Sequence, residues 1–203
     1  MIETLDVSSL KPYSISNKGL LFWGQVWMCV IEGTLLLTLI AIYFYLRLSV
    51  DVWPPPGTEL PAVLIPTLAW IPLLLSAVAS YYASESAKRN SRDGMITGLA
   101  GNLALGIVFL LMREISWRSF NFRWFTDVHG SIVWTILFLH TLDVVADLLM
   151  TAVLVAILLS GPAGERQRLG VHVDSVIWYF LVAIWAPLYA VVYWGPRVLG
   201  NHP

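Results

Sequence analysis

Apolar residues fall in five long runs that are separated by short polar segments. The runs cover residues 21–48, 62–83, 94–115, 130–160 and 173–195. Each has about 20 residues or more, which is the length that an α-helix needs to cross the hydrocarbon core of a bilayer. The segments between the runs hold most of the prolines and charged residues. The pattern predicts an all-α, polytopic membrane protein with five transmembrane helices in one bundle.

Composition supports this class. The chain is 58% hydrophobic and 12% charged, with a mean hydropathy of +0.73, whereas a soluble domain has about 25% charged residues. A net charge of −1 gives no basic patch for nucleic acid, so we expect no nucleic-acid partner. The sequence shows no cleavable signal peptide and no internal repeat. We therefore expect an N-terminal segment (1–20), a membrane domain (21–195) and a short tail (196–203).

The basic residues predict the orientation. In a five-helix bundle, seven lie on the N-terminal side and five on the other: Lys11, Lys18, Lys88, Arg89, Arg92, Arg166 and Arg168 against Arg47, Arg113, Arg118, Arg123 and Arg197. Because loops rich in Lys and Arg stay in the cytoplasm, the N-terminus is predicted to be cytoplasmic and the C-terminus external.

An ionisable residue, Glu32, lies in the middle of the first run. A charge there costs at least about 2.5 kcal/mol, so such a residue needs a partner or a function. Gln25 and Cys29 precede Glu32 at helical spacing and share its face. The first helix therefore carries a short polar stripe on an otherwise apolar surface.

The fourth run carries a matching stripe. Its polar residues are spaced by three, four and four positions, which places them on one helix face: His140, Asp143, Asp147 and Thr151. A membrane helix with a single polar stripe turns that stripe toward other helices or trapped water. We hypothesise that Glu32 pairs with His140, directly or through water, with Asp143 as a neighbour. The four ionisable side chains are predicted to have a structural or proton-related role.

Two further features lie near the predicted membrane surfaces. The loop after the first run contains Trp53, Pro54, Pro55 and, after a third proline, Gly57; the prolines favour an extended segment and the glycine permits a sharp turn. We interpret this loop as a rigid cap over the outer helix ends. At the other surface, His172 and Asp174 open the fifth run. They are predicted either to collect protons from water or to anchor the helix end.

The second and third runs are predicted to form a helical hairpin. Gly94 and Gly98 are four residues apart in the third run. Two small residues at this spacing let neighbouring helices approach closely. We expect helix packing from this hairpin and no catalytic residue.

These features, taken in order, resemble subunit III of the haem–copper respiratory oxidases (the cytochrome c oxidase subunit 3 family), in a short five-helix bacterial form. The similar residues are the intramembrane Glu32 followed by Tyr43, Phe44 and Tyr45, the Trp53-Pro54-Pro55-x-Gly57 loop, Gly130-Ser131 followed by His140, and His172 with Trp178 six residues later. The chain departs from the family pattern at Thr141, Asp143 and Asp147. Asp174 is displaced by one position.

The resemblance implies a non-catalytic subunit that packs against the catalytic subunit I in a bacterial cytoplasmic membrane. Such a subunit stabilises subunit I, binds membrane lipid and supports proton uptake. Haem and copper are expected in the partner subunits and no cofactor in this chain, with phospholipid as a structural ligand. The residues agree on the metal: the four histidines are spread over different depths, whereas a haem or copper site needs converging imidazoles. We predict no catalytic and no metal-binding residue.

Two alternatives stay open from the sequence. The first is an accessory or assembly protein of a nitric-oxide reductase system, which resembles a short subunit III. The second is a stand-alone ion or proton transporter that uses Glu32, His140, Asp143 and Asp147. Transporters tend to have internal repeats around a midplane site, and the lack of repeats here makes the second alternative weaker.

Overall fold

Helices account for all the regular structure that a computed structural model describes between residues 19 and 199. In chain order they are α1 (Leu20–Leu48), α2 (Leu64–Leu68), α3 (Trp70–Lys88), α4 (Arg92–Arg118), α5 (Val128–Ser160), α6 (Glu165–Tyr189), a π-helical turn (Ala190–Trp194) and α7 (Gly195–Leu199). Residues 1–18 and 200–203, and with them most of the predicted terminal segments, lie outside the described residues.

Within the described residues, five helical stretches are long and apolar enough to cross a membrane. They are Leu20–Leu48, Leu64–Lys88, Arg92–Arg118, Val128–Ser160 and Glu165–Leu199. The predicted all-α fold with five membrane-spanning helices is therefore confirmed. The fifth helix begins at Glu165 rather than at residue 173, because Glu, Arg and Gln are good helix formers and extend it beyond the apolar run.

Helix α6 lies at the centre of the bundle. It packs against α1, α3 and α5, while α3 and α4 form a hairpin and α4 also packs against α5. Helix α1 lies at the edge, where its outer face exposes Trp23, Trp27 and Ile31. Helix α1 therefore covers one side of the interior next to α5 and α6, and its own outer face is exposed.

The α3–α4 hairpin is closely packed at its glycines. A Cβ atom on Gly98 would lie 2.6 Å from the backbone nitrogen of Ala83, and one on Gly94 would meet the hydroxyl of Ser86. No side chain fits at either position. The predicted close approach of helices through these glycines is confirmed.

Side-chain hydrogen bonds join the loop between α1 and α2 to the loop between α4 and α5. Asn121 donates to the carbonyl oxygen of Gly57 and accepts from the backbone nitrogen of Glu59, both at 3.1 Å. Thr58 donates to Asp127 at 3.1 Å, and Asp127 also caps α5 by accepting from the Gly130 nitrogen. Gly57 has a φ of 89°, which is the turn conformation that the sequence predicts there.

Candidate functional site

A buried arginine organises the polar interior between α4, α5 and α6. Arg113 is 4% exposed, and its guanidinium carbon lies 3.9 Å from the ring centre of Trp185 and 4.7 Å from that of Phe109. It donates to Nδ1 of His140 and to the hydroxyl of Thr141, both at 2.9 Å. Among the described residues, no carboxylate forms an ion pair with it. Aromatic faces and hydrogen bonds therefore hold this cation in place of a counter-ion.

The same contacts determine where His140 carries its proton. An arginine can only donate, so Nδ1 of His140 is the acceptor. The proton then lies on Nε2, which donates to the carbonyl oxygen of Leu181 at 3.1 Å. Because both ring nitrogens have these partners, the predicted pairing of His140 with Glu32 is wrong. Arg113, and not Glu32, is the ionisable side chain that contacts His140.

Glu32 faces a cavity instead of a histidine. The cavity lies between α1, α5 and α6 and has a volume of about 130 Å³. Its polar lining comes from the two predicted stripes: Gln25, Cys29 and Glu32 of α1 with Asp143 and Asp147 of α5. Asp143 lines the same cavity as Glu32, so the predicted neighbour of Glu32 is present. Among residues 19–199, no Lys, Arg or His lines this cavity.

A second acidic pair lies deeper in the same region. Asp147 is 4% exposed, and neither of its carboxylate oxygens has a hydrogen-bond partner in the part of the chain that the structure describes. It interacts electrostatically with Asp174 of α6. The hydroxyl of Thr151 lies 3.1 and 3.2 Å from the two oxygens of Asp174. Asp174 is therefore an interior residue, and its predicted position at the cytoplasmic surface is wrong, because α6 begins nine residues before it at Glu165.

His172 lies closer than Asp174 to the first residue of α6 and is half-buried. It belongs to a register of three hydrogen bonds between α6 and α3: His172 with the Ser84 hydroxyl at 3.0 Å, the Ser175 hydroxyl to the Ser80 carbonyl at 3.1 Å, and Trp178 Nε1 to the Ser76 hydroxyl at 2.9 Å. These bonds fix α6 against the serine-lined face of α3. The proton-collecting role of His172 stays a prediction.

The loop motif is built into the bundle end. Trp53 is 1% exposed, its Nε1 donates to the hydroxyl of Tyr43 at 3.0 Å, and its ring contacts the buried His129. The peptide bond before Pro54 is cis. Pro54 is buried beside Trp53, whereas Gly57 turns outward. The motif therefore joins the end of α1 to the start of α5, in keeping with the predicted cap.

The described histidines are occupied by other contacts and do not converge. His140 uses both nitrogens in hydrogen bonds, His129 packs between the rings of Trp53 and Phe122, and His172 contacts α3. His202 lies outside the described residues. Among residues 19–199, no three His, Cys, Asp or Glu side chains group as metal ligands. This donor set does not fit haem or copper.

Arg113 is the residue that the sequence interpretation missed. The orientation prediction places Arg113 at the outer surface, although it falls inside the predicted run 94–115. A cation within a membrane span is expected to face the bundle interior. That rule singles out Arg113, but its partners Trp185 and His140 depend on the packing of three helices.

The fold and the interior define a multi-pass helical membrane protein with a buried arginine–histidine pair and a separate cavity lined with carboxyls. Comparison with known proteins places it more narrowly. The family described as cytochrome c oxidase subunit III matches residues 12–196. The chain belongs to this family, and the resemblance to subunit III of the haem–copper oxidases is confirmed.

Individual relatives agree with the family. The chain is 25% identical to cytochrome c oxidase subunit 3 of Synechocystis sp. over 178 residues, which are 87% of this chain and 76% of the relative. It is 25% identical to that of Thermostichus vulcanus over 171 residues, 84% and 85%. The match to the Homo sapiens protein is 27% over 143 residues, 70% and 55%. These matches favour neither the nitric-oxide reductase nor the transporter alternative.

Proposed function

We propose that the chain is the non-catalytic subunit III of a bacterial terminal oxidase, that it packs against the catalytic subunit I, and that haem and copper are held by the partner subunits. The observation that carries the proposal is the family match over residues 12–196, which covers the first four membrane-spanning helices and all but the last three residues of the fifth. In the proposed complex the chain stabilises subunit I and supports its uptake of protons. Phospholipid is the proposed structural ligand of its exposed apolar faces.

The polar interior supports a structural role with a proton-related part. The contacts of Arg113 join α4 to α5 and α6, because its partners His140 and Trp185 lie on those two helices. The cavity carboxyls lie apart from this pair, on the side of the bundle that α1 covers. We therefore assign helix association to Arg113 and His140, and proton exchange to Glu32, Asp143 and Asp147. His172 is the proposed proton-collecting residue nearest the cytoplasm.

Co-purification tests the proposal. An affinity tag on this chain, expressed in its native host, is expected to bring down a membrane complex that contains haem and copper and consumes oxygen. The measurements are the reduced-minus-oxidised haem spectrum, the copper content and the rate of oxygen consumption. A tagged chain with an exposed substitution, Arg118→Gln on the outer end of α4, serves as the control for tagging and expression.

Two results would overturn the proposal. One is a membrane-inserted chain that brings down no haem protein. The other is a complex that holds haem but no copper and reduces nitric oxide in place of oxygen, which would favour the reductase alternative.

A further inference from the structure

Four aromatic side chains form a connected series from the bundle interior to the C-terminal end of the fifth membrane-spanning stretch. The ring centre of the buried Trp185 lies 6.3 Å from that of Tyr193 and 6.0 Å from that of Tyr189. The two tyrosine rings lie 5.3 Å apart. Trp194 is 47% exposed, and its Nε1 donates to the Tyr189 hydroxyl at 3.2 Å. Because ring centres about 4.5–7 Å apart belong to rings in contact, the series is continuous.

The π-helical turn Ala190–Trp194 makes the last of these contacts possible. Tyr189 immediately precedes the turn and lies five residues before Trp194. In an α-helix this separation places two side chains about 140° apart around the axis. In a π-helix the hydrogen bonds join residues five apart, so their side chains lie nearer to one face, and such turns are rare and frequent at functional sites. Here the turn brings an exposed indole against a tyrosine that contacts the interior.

Indole and phenol rings can each lose one electron to a strong oxidant. The resulting oxidising equivalent moves readily between rings in contact, because the electronic coupling between two rings falls steeply with their distance. An oxidised tryptophan can remain a radical cation. An oxidised tyrosine also releases its phenol proton, because the phenol radical cation is a strong acid. The charges and proton acceptors beside each ring therefore decide where in the series the oxidising equivalent comes to rest.

The two buried rings of the series are poor places for an oxidising equivalent to remain. The guanidinium carbon of Arg113 lies 3.9 Å from the ring centre of Trp185, and a positive charge that close disfavours a second one on the indole. Nε1 of Trp185 has no hydrogen-bond partner in the described part of the chain. The hydroxyl of Tyr193 lies 3.3 Å from that of Ser116, and both residues are buried. The phenol proton of Tyr193 is therefore held away from water.

Tyr189 has the proton exit that Tyr193 lacks. Its hydroxyl is hydrogen-bonded to that of Thr67, which is exposed and is the fourth residue of the second membrane-spanning stretch. Thr67 donates its own proton to the carbonyl oxygen of Val63, and Trp194 donates to Tyr189, so the Tyr189 hydroxyl is the donor to Thr67. When the threonine hydroxyl accepts the phenol proton, it can release its own proton to water at the nearby membrane surface.

We propose that Trp185, Tyr193, Tyr189 and Trp194 form a one-electron relay, in which an oxidising equivalent from the bundle interior comes to rest on Tyr189 as a neutral phenoxyl radical. The oxidant gains one electron, Tyr189 loses one electron, and the phenol proton passes through Thr67 to water. A water-soluble one-electron reductant, such as ascorbate or a thiol, then returns an electron through Trp194, and a proton returns from water to the phenol.

The relay goes beyond the proposed function and supplies a protective activity. In the proposed complex, the source is a one-electron oxidant formed by oxygen chemistry in a partner subunit, and this source rests on the proposed function. The relay itself consists only of residues of this chain. Its test therefore needs neither haem nor copper, so that failure of the relay and failure of the proposed function are distinguishable.

A photosensitiser attached to the full-length chain in lipid nanodiscs tests the relay. In a Cys29→Ser background, Ala183→Cys carries a thiol-reactive ruthenium polypyridyl complex at an exposed position of α6, two residues before Trp185. A flash in the presence of a cobalt(III) electron acceptor generates ruthenium(III), which oxidises the chain. Electron paramagnetic resonance after freeze-quenching should show a neutral tyrosyl radical, and ring-deuterated tyrosine should narrow its spectrum.

Substitutions locate the radical. Tyr189→Phe should remove most of the tyrosyl signal. The matched control is Tyr179→Phe on the same helix, which should leave the signal unchanged; Tyr179 lies four residues from the label and Tyr189 six, so proximity alone would favour Tyr179. Trp194→Phe should keep the radical and lengthen its lifetime in ascorbate, an effect that a purely structural role of the indole would not produce.

Three results would overturn the proposal. The first is a labelled chain that gives no tyrosyl radical after the flash. The second is a radical whose decay does not depend on the ascorbate concentration, which would exclude an exit to the surface. Both use only the labelled chain and hold whether or not Tyr189→Phe folds. The third is an equal loss of signal in Tyr179→Phe and in Tyr189→Phe, each folded by circular dichroism, which would show oxidation by proximity to the label.

Discussion

Arg113 and His140 depend on each other unequally. In His140→Leu the buried guanidinium loses an acceptor and keeps its charge, so we expect the free energy of unfolding to fall by about 3 kcal/mol or more, since an unsatisfied charged group costs more than a neutral one. In Arg113→Met the histidine nitrogen is left without a donor, and the expected loss is about 1–3 kcal/mol. Unfolding by SDS in mixed micelles, followed by circular dichroism, measures both values.

The double variant distinguishes a specific pair from two independent sites. Arg113→Met with His140→Leu removes the unpaired groups together, so its loss should be smaller than the sum of the single losses. Arg118→Met, whose side chain is 78% exposed, is the control for replacing a cation on α4 and should be near neutral. Additive losses, within about 0.5 kcal/mol, would contradict the pairing.

Glu32 is expected to affect proton exchange more than assembly. Glu32→Gln keeps the size of the side chain and removes its titrating group, and Glu32 lies outside the contacts of Arg113. We expect a stability change below about 1 kcal/mol, an unchanged haem spectrum and an unchanged initial rate of oxygen consumption. The rate should decline faster during continued turnover than in Glu114→Gln, an exposed control. Loss of haem from an assembled complex would contradict this expectation.

The sequence predicted which residues form the polar interior, but not every partner. Spacing placed His140, Asp143 and Asp147 on one face of α5, and the two acids do face the α1 stripe across the cavity. His140 contacts α4 and α6 instead. Helical periodicity gives the direction of a side chain to within a fraction of a turn. Which of two adjacent helices it meets depends on packing, and here on Trp185 and Arg113.

At the scale of helices, the α3–α4 contact offers a matched pair of glycines. A Cβ on Gly98 would lie 2.6 Å from backbone nitrogen of Ala83, whereas a Cβ on Gly101 would have its nearest contact at 3.4 Å from a side-chain carbon of Ala79. We expect Gly98→Ala to destabilise the chain by about 1–3 kcal/mol, since overpacking forces the helices apart. Gly101→Ala should be neutral or slightly stabilising, because alanine has the higher helix propensity.

Thermal unfolding in detergent, followed by circular dichroism, measures both variants. Equal effects of the two substitutions would show that the close approach of α3 and α4 at Gly98 is wrong. Both variants replace a glycine of α4 by alanine. A difference between their unfolding temperatures therefore reports how closely each position approaches α3.

Helix number was predictable because membrane spans are specified by length and apolar composition, which are local properties. The start of α6 was not, because its first two turns contain Glu165, Arg166 and Arg168 and lack the apolar signal. That error had a consequence for the site. A helix assumed to begin at residue 173 places Asp174 at the surface, whereas the longer helix carries it into the interior beside Thr151.

For the whole molecule, the buried position of Arg113 strengthens the orientation prediction. The positive-inside rule concerns loop residues near the helix ends, and Arg113 is an interior residue. Removing it from the five basic residues on the C-terminal side leaves four against seven. We therefore expect the loop that contains Pro56 to be external and the loop that contains Pro162 to be cytoplasmic.

Labelling with a membrane-impermeant maleimide checks this orientation. Pro56→Cys and Pro162→Cys replace the same residue type at exposed loop positions, in a Cys29→Ser background that removes the native thiol. In intact cells Pro56→Cys should be labelled, and Pro162→Cys only after the membrane is permeabilised. The reverse pattern would place the N-terminus outside and move His172 to the external surface. A proton collected there would come from the wrong side to supply uptake from the cytoplasm, so the result also tests the role assigned to His172.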